Sequence, residues 1–147
     1  MQVKRLRLGD RATARALFTL MADVFETEAE ALSDGYLDQL LGREEFWAIG
    51  AFAGDAPIGG VTAHTLPMTR TESSEIFIYD LAVHPDHQRT GVGRRLVAEL
   101  RAQAAALGIG ELFVPADNED VHALDFYRAI GGAAAPVTIF TFTQSGT

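Results

Sequence analysis

Residues 75–107 read EIFIYDLAV (75–83), HPDHQRTGVG (84–93) and RRLVAELRAQAAAL (94–107). The first segment is an almost unbroken apolar run, which predicts a β-strand covered on both faces. Apolar residues then recur at helical spacing from Val92 to Leu107, and Gly108 stands where a helix commonly ends. This stretch therefore predicts a buried strand that leads through a turn directly into a helix.

The turn between the predicted strand and helix, residues 88–93, is rich in glycine and in basic side chains. The first turn of a helix leaves backbone N–H groups without partners and carries a partial positive charge. Gly91 and Gly93 let this backbone approach a phosphate closely, and positive charge is added by Arg89, Arg94 and Arg95. The turn has neither the Walker pattern nor G-x-G-x-x-G, so alone it fits a phosphate site or an ordinary tight turn.

The rest of the chain alternates strand and helix patterns. Further strands are predicted at residues 3–8, 46–53, 58–66, 111–116 and 137–142, and the second and third form a hairpin around residues 54–57. Further helices are predicted after a cap at Asp10, over residues 36–41, and between a cap at Asn118 and Gly131-Gly132. The order β-α-α-β-β-β-α-β-α-β predicts one α/β domain over residues 1–147, with helices packed on the faces of a mixed sheet.

Charge limits the partners of the chain. Its 20 acidic and 12 basic residues give a net charge of −8, which argues against nucleic acid, since nucleic acid requires a basic surface. An acidic surface attracts cationic partners, although acidic soluble proteins are also common. No apolar run approaches the roughly 20 residues that span a bilayer, so we expect no membrane partner and a cytoplasmic protein.

The reactive side chains limit the chemistry. The absence of cysteine excludes disulfides and thiol nucleophiles, and a single lysine, Lys4, leaves almost no candidate for Schiff-base chemistry. The four histidines lack metal-ligand spacing, so we interpret each as a loop or surface residue and predict no metal. An enzyme with this composition would catalyse a direct reaction of its substrate, without a covalent enzyme intermediate.

Two motifs together resemble those of a known family. Leu81-Ala82-Val83-His84-Pro85 followed by Gln88-x-x-Gly91-x-Gly93 resembles the acyl-CoA signature of the GCN5-related N-acetyltransferase (GNAT) superfamily. Asn118, Ala123, Phe126-Tyr127 and Gly131 resemble its later motif, and the likeness covers essentially the whole chain. The resemblance implies the GNAT fold, a mixed and mostly antiparallel central sheet flanked by about four helices. It also implies acetyl-CoA as co-substrate.

The same resemblance implies where acetyl-CoA binds. The pantetheine arm would pair with the backbone of residues 81–83, and the pyrophosphate would meet the N–H groups of residues 89–94. The implied cofactor-binding residues are Leu81, Ala82, Val83, Gln88, Arg89, Thr90, Gly91, Val92, Gly93, Arg94, Asn118, Ala123 and Phe126.

A narrower resemblance concerns the acetyl acceptor. Asp34-x-Tyr36-Leu37-x-x-Leu40-Leu41, Leu66-Pro67 and residues 74–83 look like the gentamicin-type aminoglycoside 3-N-acetyltransferases. This likeness implies transfer to an amino group, the 3-amino group, of an aminoglycoside and hence antibiotic resistance. The implied substrate-binding residues are Asp34, Glu75, Tyr79, Asp80, Asp117, Glu119 and Asp120, although each carboxylate alone also fits a solvated surface. Asn118-Glu119 departs from the aromatic-glycine pair of that family, which leaves the detailed substrate preference open.

Two residues are candidates for proton transfer. In the family, a tyrosine at the position of Tyr127 acts as general acid, and a phenol remains protonated at neutral pH because its pKa is about 10. Tyr127 also continues the apolar stripe of its helix, so a core role stays open. Asp80 lies inside an apolar strand, where burial would raise its pKa toward that of a general base; it could equally be a carboxylate fixed at a strand bulge.

Alternative functions and the oligomeric state also stay open. The same chemistry on a polyamine or diamino acid fits the acidic charge, and so does a catalytically weak acyl-CoA-binding regulatory module. The apolar strand predicted at residues 137–142 could pair with a second copy, and the resembled family is often dimeric. We therefore expect a homodimer.

Overall fold

The computed structural model describes residues 1–144. Along these residues the elements are β1 (Gln2–Arg5), α1 (Arg11–Val24), α2 (Asp34–Leu41), β2 (Phe46–Ala53), β3 (Ala56–Pro67), β4 (Ser74–Val83), α3 (Val92–Ala106), β5 (Leu112–Phe113) and α4 (Val121–Ala129), with a 3₁₀ turn at Pro85–His87. The predicted order of elements is confirmed as far as α4.

The strands form one sheet in the order β1-β2-β3-β4-β5. The first four are antiparallel neighbours, whereas β5 pairs with β4 in parallel and only through Ile76 and Phe77. The fold class is thereby confirmed: a mixed, mostly antiparallel sheet with four helices among the described residues.

The core has two parts, one on each face of the sheet. On the face that packs against α3, which we call the α3 face, Trp47, Ile49 and Val61 are fully buried together with Leu96. On the opposite face, which we call the α1 face, the core contains Leu17, Met21, Phe46 and Ala48. The alternation of Phe46, Trp47, Ala48 and Ile49 between the two cores follows from the two-residue period of a strand.

Close packing of α1 on the sheet depends on a glycine in β3. A Cβ atom on Gly60 would lie 2.7 Å from the end of the Leu17 side chain and 2.9 Å from the sulfur of Met21, so a larger residue would force these two side chains to move. The expectation that β4 is covered on both faces is wrong in part. Ile76 and Ile78 are buried on the α3 face, but the Tyr79 side chain is 64% exposed.

The described chain divides into two compact units, residues 1–115 and the residues from 116 onward. The first unit contains the sheet, α1, α2 and α3, and the second contains α4. The single domain over residues 1–147 therefore stays a prediction, and its last three residues, 145–147, lie outside the described part.

Two predictions about the second unit are wrong. Residues 133–144 form no strand, so the closing strand at 137–142 is absent, and its apolar side chains are exposed: Val137, Ile139, Phe140 and Phe142. Asp120, not Asn118, caps α4, because its carboxylate accepts the N–H of Ala123 at 3.1 Å.

A third prediction needs correction in the first unit. Asp10 precedes α1, but its carboxylate accepts the Arg7 N–H and no helix N–H.

Candidate active site

The loop between β4 and α3 is shaped by hydrogen bonds of its own side chains. His84 Nδ1 accepts the N–H of Asp86 at 3.0 Å, and the Gln88 side-chain amide donates to the Val83 carbonyl at 3.0 Å. The Thr90 hydroxyl donates to the His87 carbonyl. The predicted cofactor residues Gln88 and Thr90 therefore hold the loop in place through their side chains.

The backbone of this loop has the conformation of an anion-binding turn. Arg89 and Gly91 have φ angles of 63° and 90°, in the left-handed region that a residue with a side chain seldom adopts. Such residues direct backbone N–H groups into a concave surface, and the N-terminus of α3 adds its dipole to the same place. Strain of this kind is concentrated at functional turns. These features fit the pyrophosphate of acetyl-CoA.

The side chains of the loop separate into an exposed group and an anchor. Gln88, Arg89, Thr90, Gly91 and Arg94 are exposed, and Gly93 is half-buried. Val92 is buried in the core on the α3 face and anchors the first turn of the helix. We therefore assign Val92 a supporting role beside the residues that can face a ligand.

The strand before the loop offers an unpaired edge. Leu81, Ala82 and Val83 pair with Val61, Gly60 and Gly59 of β3, whereas β5 pairs only with residues 76 and 77 on the other edge of β4. Among the described residues, the edge of β4 from residue 78 to residue 83 thus has no strand partner. An extended amide-containing chain such as pantetheine can add to such an edge through main-chain hydrogen bonds.

A one-residue bulge interrupts β4 within this edge. Thr62 of β3 lies opposite Asp80, but the next residue, Ala63, lies opposite Ile78, so Tyr79 is the extra residue. The Tyr79 ring contacts the His64 ring on the α1 face, with centroids 6.0 Å apart. Asp80 shares that face, because directly opposed residues project to the same side and Thr62 lies two residues from His64. The bulge therefore brings the consecutive residues Tyr79 and Asp80 to one face of the sheet.

The environment of Asp80 suits proton transfer. Its carboxyl group is half-buried, and this burial raises its pKa above that of an ordinary aspartate. A carboxylate with a raised pKa is a stronger base and accepts a proton from an ammonium group more readily. The position at a strand bulge, which we predicted as the structural alternative for Asp80, is also present. The two roles are compatible, since a bulge commonly re-aims a functional side chain.

The second unit contains the other predicted residues. Phe126 and Tyr127 are half-buried on α4, with ring centroids 5.3 Å apart, and the Tyr127 carbonyl accepts the N–H of Gly132 at 2.8 Å. Asn118 and Glu119 are exposed, and Ala123 is half-buried.

Two acidic residues of the second unit, Asp117 and Asp120, serve local structure. One oxygen of the Asp117 carboxylate accepts the N–H of Glu119 at 2.9 Å, in the turn that leads into α4. Asp120 caps the helix through the N–H of Ala123. Each of these carboxylates keeps a second oxygen, so substrate binding by Asp117, Glu119 and Asp120 stays a prediction.

Asp34 forms ion pairs in a cleft of the first unit. Its carboxylate lies 2.6 Å from the Arg15 guanidinium and 3.3 Å from that of Arg11, and Arg11 also binds Asp38 at 2.6 Å. The hydrogen bond from Arg11 lowers the pKa of Asp38, and the same pair raises the pKa of Arg11. These pairs join the start of α1 to the start of α2. Because Asp34 already has two cationic partners, we leave it out of the acceptor site proposed below.

The α1 face also carries aromatic residues that the sequence analysis did not select. His64, predicted to lie in a loop or on the surface, is a half-buried residue of β3, and its ring lies 5.5 Å from that of Phe46 and 6.0 Å from that of Tyr79. Phe77 and Phe113 continue the set across β4 and β5, with centroids 5.1 Å apart. The strand patterns were visible in the sequence, but the register that joins these rings was not.

Metal sites and membrane-spanning helices are absent from the described residues. Within residues 1–144, no group of three or more His, Cys, Asp or Glu side chains is placed to hold a metal ion. In the same part of the chain, no helix has the length and apolar character needed to cross a bilayer.

Comparison with known proteins identifies the family. The profile of the Acetyltransferase (GNAT) family matches residues 14–131. The chain is 29% identical over 132 residues to an uncharacterized N-acetyltransferase, YvbK, of Bacillus subtilis (strain 168), a match that covers 89% of this chain and 76% of the relative.

Solved structures that are similar to this chain are also acetyltransferases. The aminoglycoside acetyltransferase meta-AAC0020, from an uncultured soil metagenomic sample and in complex with sisomicin, has a TM-score of 0.93 and 32% identity, covering 98% of this chain and 96% of that one. The aminoglycoside acetyltransferase HMB0005, also from an uncultured soil metagenomic sample, has a TM-score of 0.92 and 30% identity, covering 98% of both chains. Aminoglycoside N-acetyltransferase AAC(6')-Iy in complex with CoA, at 17% identity and a TM-score of 0.76, supports the fold alone. The chain is therefore an acetyltransferase of the GNAT family, with the fold that its motifs implied.

Proposed function

We propose that this protein transfers the acetyl group of acetyl-CoA to an amino group of an aminoglycoside, the 3-amino group, and so confers resistance. The observation that carries the proposal is the β4 bulge, which sets Tyr79 and the half-buried Asp80 on one face beside an unpaired strand edge. The likeness to two aminoglycoside acetyltransferases at 30–32% identity supports the choice of acceptor. The net charge of −8 suits a polycationic substrate.

The donor half of the reaction uses the backbone. In our proposal the pantetheine arm adds to the edge of β4 at Leu81, Ala82 and Val83, and the pyrophosphate rests on the N–H groups of residues 89–94. A backbone N–H of this edge would stabilise the oxyanion that forms on the thioester carbonyl. The exposed guanidinium groups of Arg89 and Arg94 would bind phosphate oxygens.

The acceptor half of the reaction requires three proton transfers. Asp80 would accept one proton of the substrate ammonium, directly or through a water molecule, and pass it to solvent, so that a neutral amine attacks the carbonyl carbon. The C–N bond forms, the C–S bond breaks, and Tyr127 would donate its proton to the departing thiolate. The nitrogen loses a second proton as it becomes an amide nitrogen, and this proton, relayed through water, would restore the Tyr127 phenol. With no cysteine in the chain, we propose direct transfer within a ternary complex.

Location and assembly belong to the same proposal. Acetyl-CoA is an intracellular metabolite, so we propose that the protein acts in the cytoplasm. We also propose a homodimer, because Val137, Ile139, Phe140 and Phe142 are 71–95% exposed and would be buried against a second copy.

Release of CoA tests the proposed function. The purified protein is incubated with acetyl-CoA and a thiol-detecting dye, and gentamicin, sisomicin or spermidine is added in separate reactions. Release with gentamicin and sisomicin is expected, and mass and NMR spectra of the product identify the acetylated nitrogen. Release with spermidine alone would favour a polyamine acetyltransferase, and binding of CoA without turnover of any amine would favour a regulatory module. Raised gentamicin tolerance in a host that expresses the protein tests the link to resistance.

A further inference from the structure

The α1 face carries a continuous row of aromatic rings. Adjacent ring centroids are 6.0 Å apart for His64 and Tyr79, 5.8 Å for Tyr79 and Phe77, and 5.1 Å for Phe77 and Phe113. We call these four residues the aromatic row. It crosses three neighbouring strands, because His64 lies opposite Phe77 and Phe77 lies opposite Phe113.

The aromatic row is half-buried at one end and exposed at two of its other members. At the half-buried end His64 contacts the buried ring of Phe46, whereas Tyr79 is 64% exposed and Phe113 is 39% exposed. A contiguous exposed apolar surface on a small protein commonly marks a site of binding. The rings are fixed in place by their mutual contacts and by the strand register, so the surface is formed before a ligand arrives.

Carboxylates flank the aromatic row on the same face. Asp80 follows Tyr79 at one side, and Glu75 lies beyond Phe77 at the other, opposite Leu66. The β3 partners of these acids, Thr62 and Leu66, are four residues apart, which at a strand rise of ~3.3 Å per residue is about 13 Å. An apolar floor with an acid at each end complements a ligand that has a rigid apolar body and ammonium groups at its ends.

We propose that the aromatic row is the floor of the acceptor site and selects a rigid polyamine built on saturated rings over a linear polyamine. The apolar face of a ring lies on Tyr79 and Phe77, one ammonium is directed to Asp80, and a distant ammonium pairs with Glu75. A flexible linear polyamine can reach both acids but presents no ring face to the floor. This inference rests on the proposed function, since it names the surface that recognises the acceptor.

Substitution of Tyr79 tests the floor. With sisomicin as acceptor, Tyr79→Leu is expected to raise KM about 5- to 30-fold, the range for a lost ring contact with a bound cation and its apolar body. Tyr79→Phe keeps the ring and is expected to stay within about twofold of wild type. With spermidine, Tyr79→Leu is expected to change KM less than about twofold, and the KM for acetyl-CoA is expected to stay constant. Phe113→Leu should act in the same direction as Tyr79→Leu, and Phe25→Leu, at a 45% exposed position outside the row, is the matched control.

The outcomes separate this inference from the proposed function. The floor would be overturned if Tyr79→Leu raised the KM for sisomicin and the KM for spermidine equally. It would also be overturned if neither Tyr79→Leu nor Phe113→Leu raised the KM for sisomicin. If the wild-type protein releases no CoA with sisomicin, the same variants are compared for sisomicin binding by calorimetry in the presence of CoA. Binding that is weakened by Tyr79→Leu would then support the floor while the proposed activity fails. Absence of sisomicin binding to the wild-type protein would overturn both.

Discussion

Replacement of Asp80 by asparagine separates its catalytic role from its place in the sheet. Asparagine has almost the same shape as aspartate, so the bulge and the pairing with Thr62 can persist, but the amide cannot accept the ammonium proton. A general base typically contributes 10²- to 10⁴-fold to the rate. Because Asp80 is only half-buried, a water molecule can partly replace it, and we expect kcat to fall by roughly 10²-fold, at the lower end of that range.

The pH dependence gives the sharper test of Asp80. Burial raises its pKa, so the wild-type kcat/KM is expected to fall on acidification at a pH above the ~3.9 of an ordinary aspartate. Asp80→Asn should lose this titration and show a rate that rises steadily with pH, because alkali deprotonates the substrate amine without a base. CoA release is measured from pH 5 to pH 9 with saturating acetyl-CoA. Asp55→Asn, the same change at an exposed position of the β2–β3 turn, is the control.

The free energy of unfolding of the same variant separates a catalytic role of Asp80 from a structural one. A carboxyl group whose pKa is raised in the folded state contributes stability below its unfolded pKa, and this contribution is lost as the pH rises through the folded pKa. At neutral pH ionised Asp80 therefore opposes folding, and Asp80→Asn is expected to leave the free energy of unfolding unchanged or to raise it. A variant that is less stable and slower in proportion would make Asp80 a structural residue. Wild-type kcat with an unchanged pH profile would remove it from the mechanism.

Three further predictions concern the donor turn, the second unit and assembly. Gly91→Ala should destabilise the protein by about 1–2 kcal/mol, because the φ of 90° at this position disfavours a side chain, and it should also raise the KM for acetyl-CoA. Both effects are measured, by chemical unfolding and by kinetics, against the control Gly110→Ala, where the added Cβ meets no atom within 4 Å. Tyr127→Phe should lower kcat by roughly 10²-fold with little change in the KM for acetyl-CoA, whereas an unchanged kcat would exclude Tyr127 as the acid. Serine at both Ile139 and Phe140 should convert the proposed dimer to a monomer in light scattering, and a wild-type protein that is already monomeric would disprove the dimer.

Local patterns accounted for the strand, turn and helix that form the proposed donor site. The apolar run of β4, the glycines of the turn and the helical spacing after Val92 are properties of one continuous segment, so the sequence predicted them without knowledge of any partner strand. The α4 cap was wrong by two residues because Asn118 and Asp120 are both good cap residues, and the start of the helix decides between them. The strand pattern at 137–142 lacks a partner in the described chain, and alternation alone does not supply one.

The proposed acceptor site depends on pairing between distant strands. His64, Phe77 and Phe113 are distant in sequence and meet only because β3, β4 and β5 pair in one register. The bulge at Tyr79 changes that register by one residue. The sequence showed only an almost unbroken apolar run interrupted by Asp80, so a strand bulge was one of two alternatives for that residue. The resemblance of residues 74–83 to a known family indicated Tyr79 and Asp80 as substrate residues, but it did not indicate the aromatic row beside them.

The bulge also explains how an acid can follow an apolar strand. Without the extra residue, Asp80 would continue the alternation of Ile76 and Ile78 and would project into the α3 face, against a core of fully buried side chains. An unpaired carboxylate there would be strongly destabilising. With the bulge, Asp80 moves to the α1 face beside Tyr79, where it is half-buried, and the pairing of β4 with β3 resumes at Asp80, opposite Thr62. One inserted residue thus places the proposed base and the aromatic row on the same face, next to the strand edge at residues 81–83 where we propose that the acetyl donor binds.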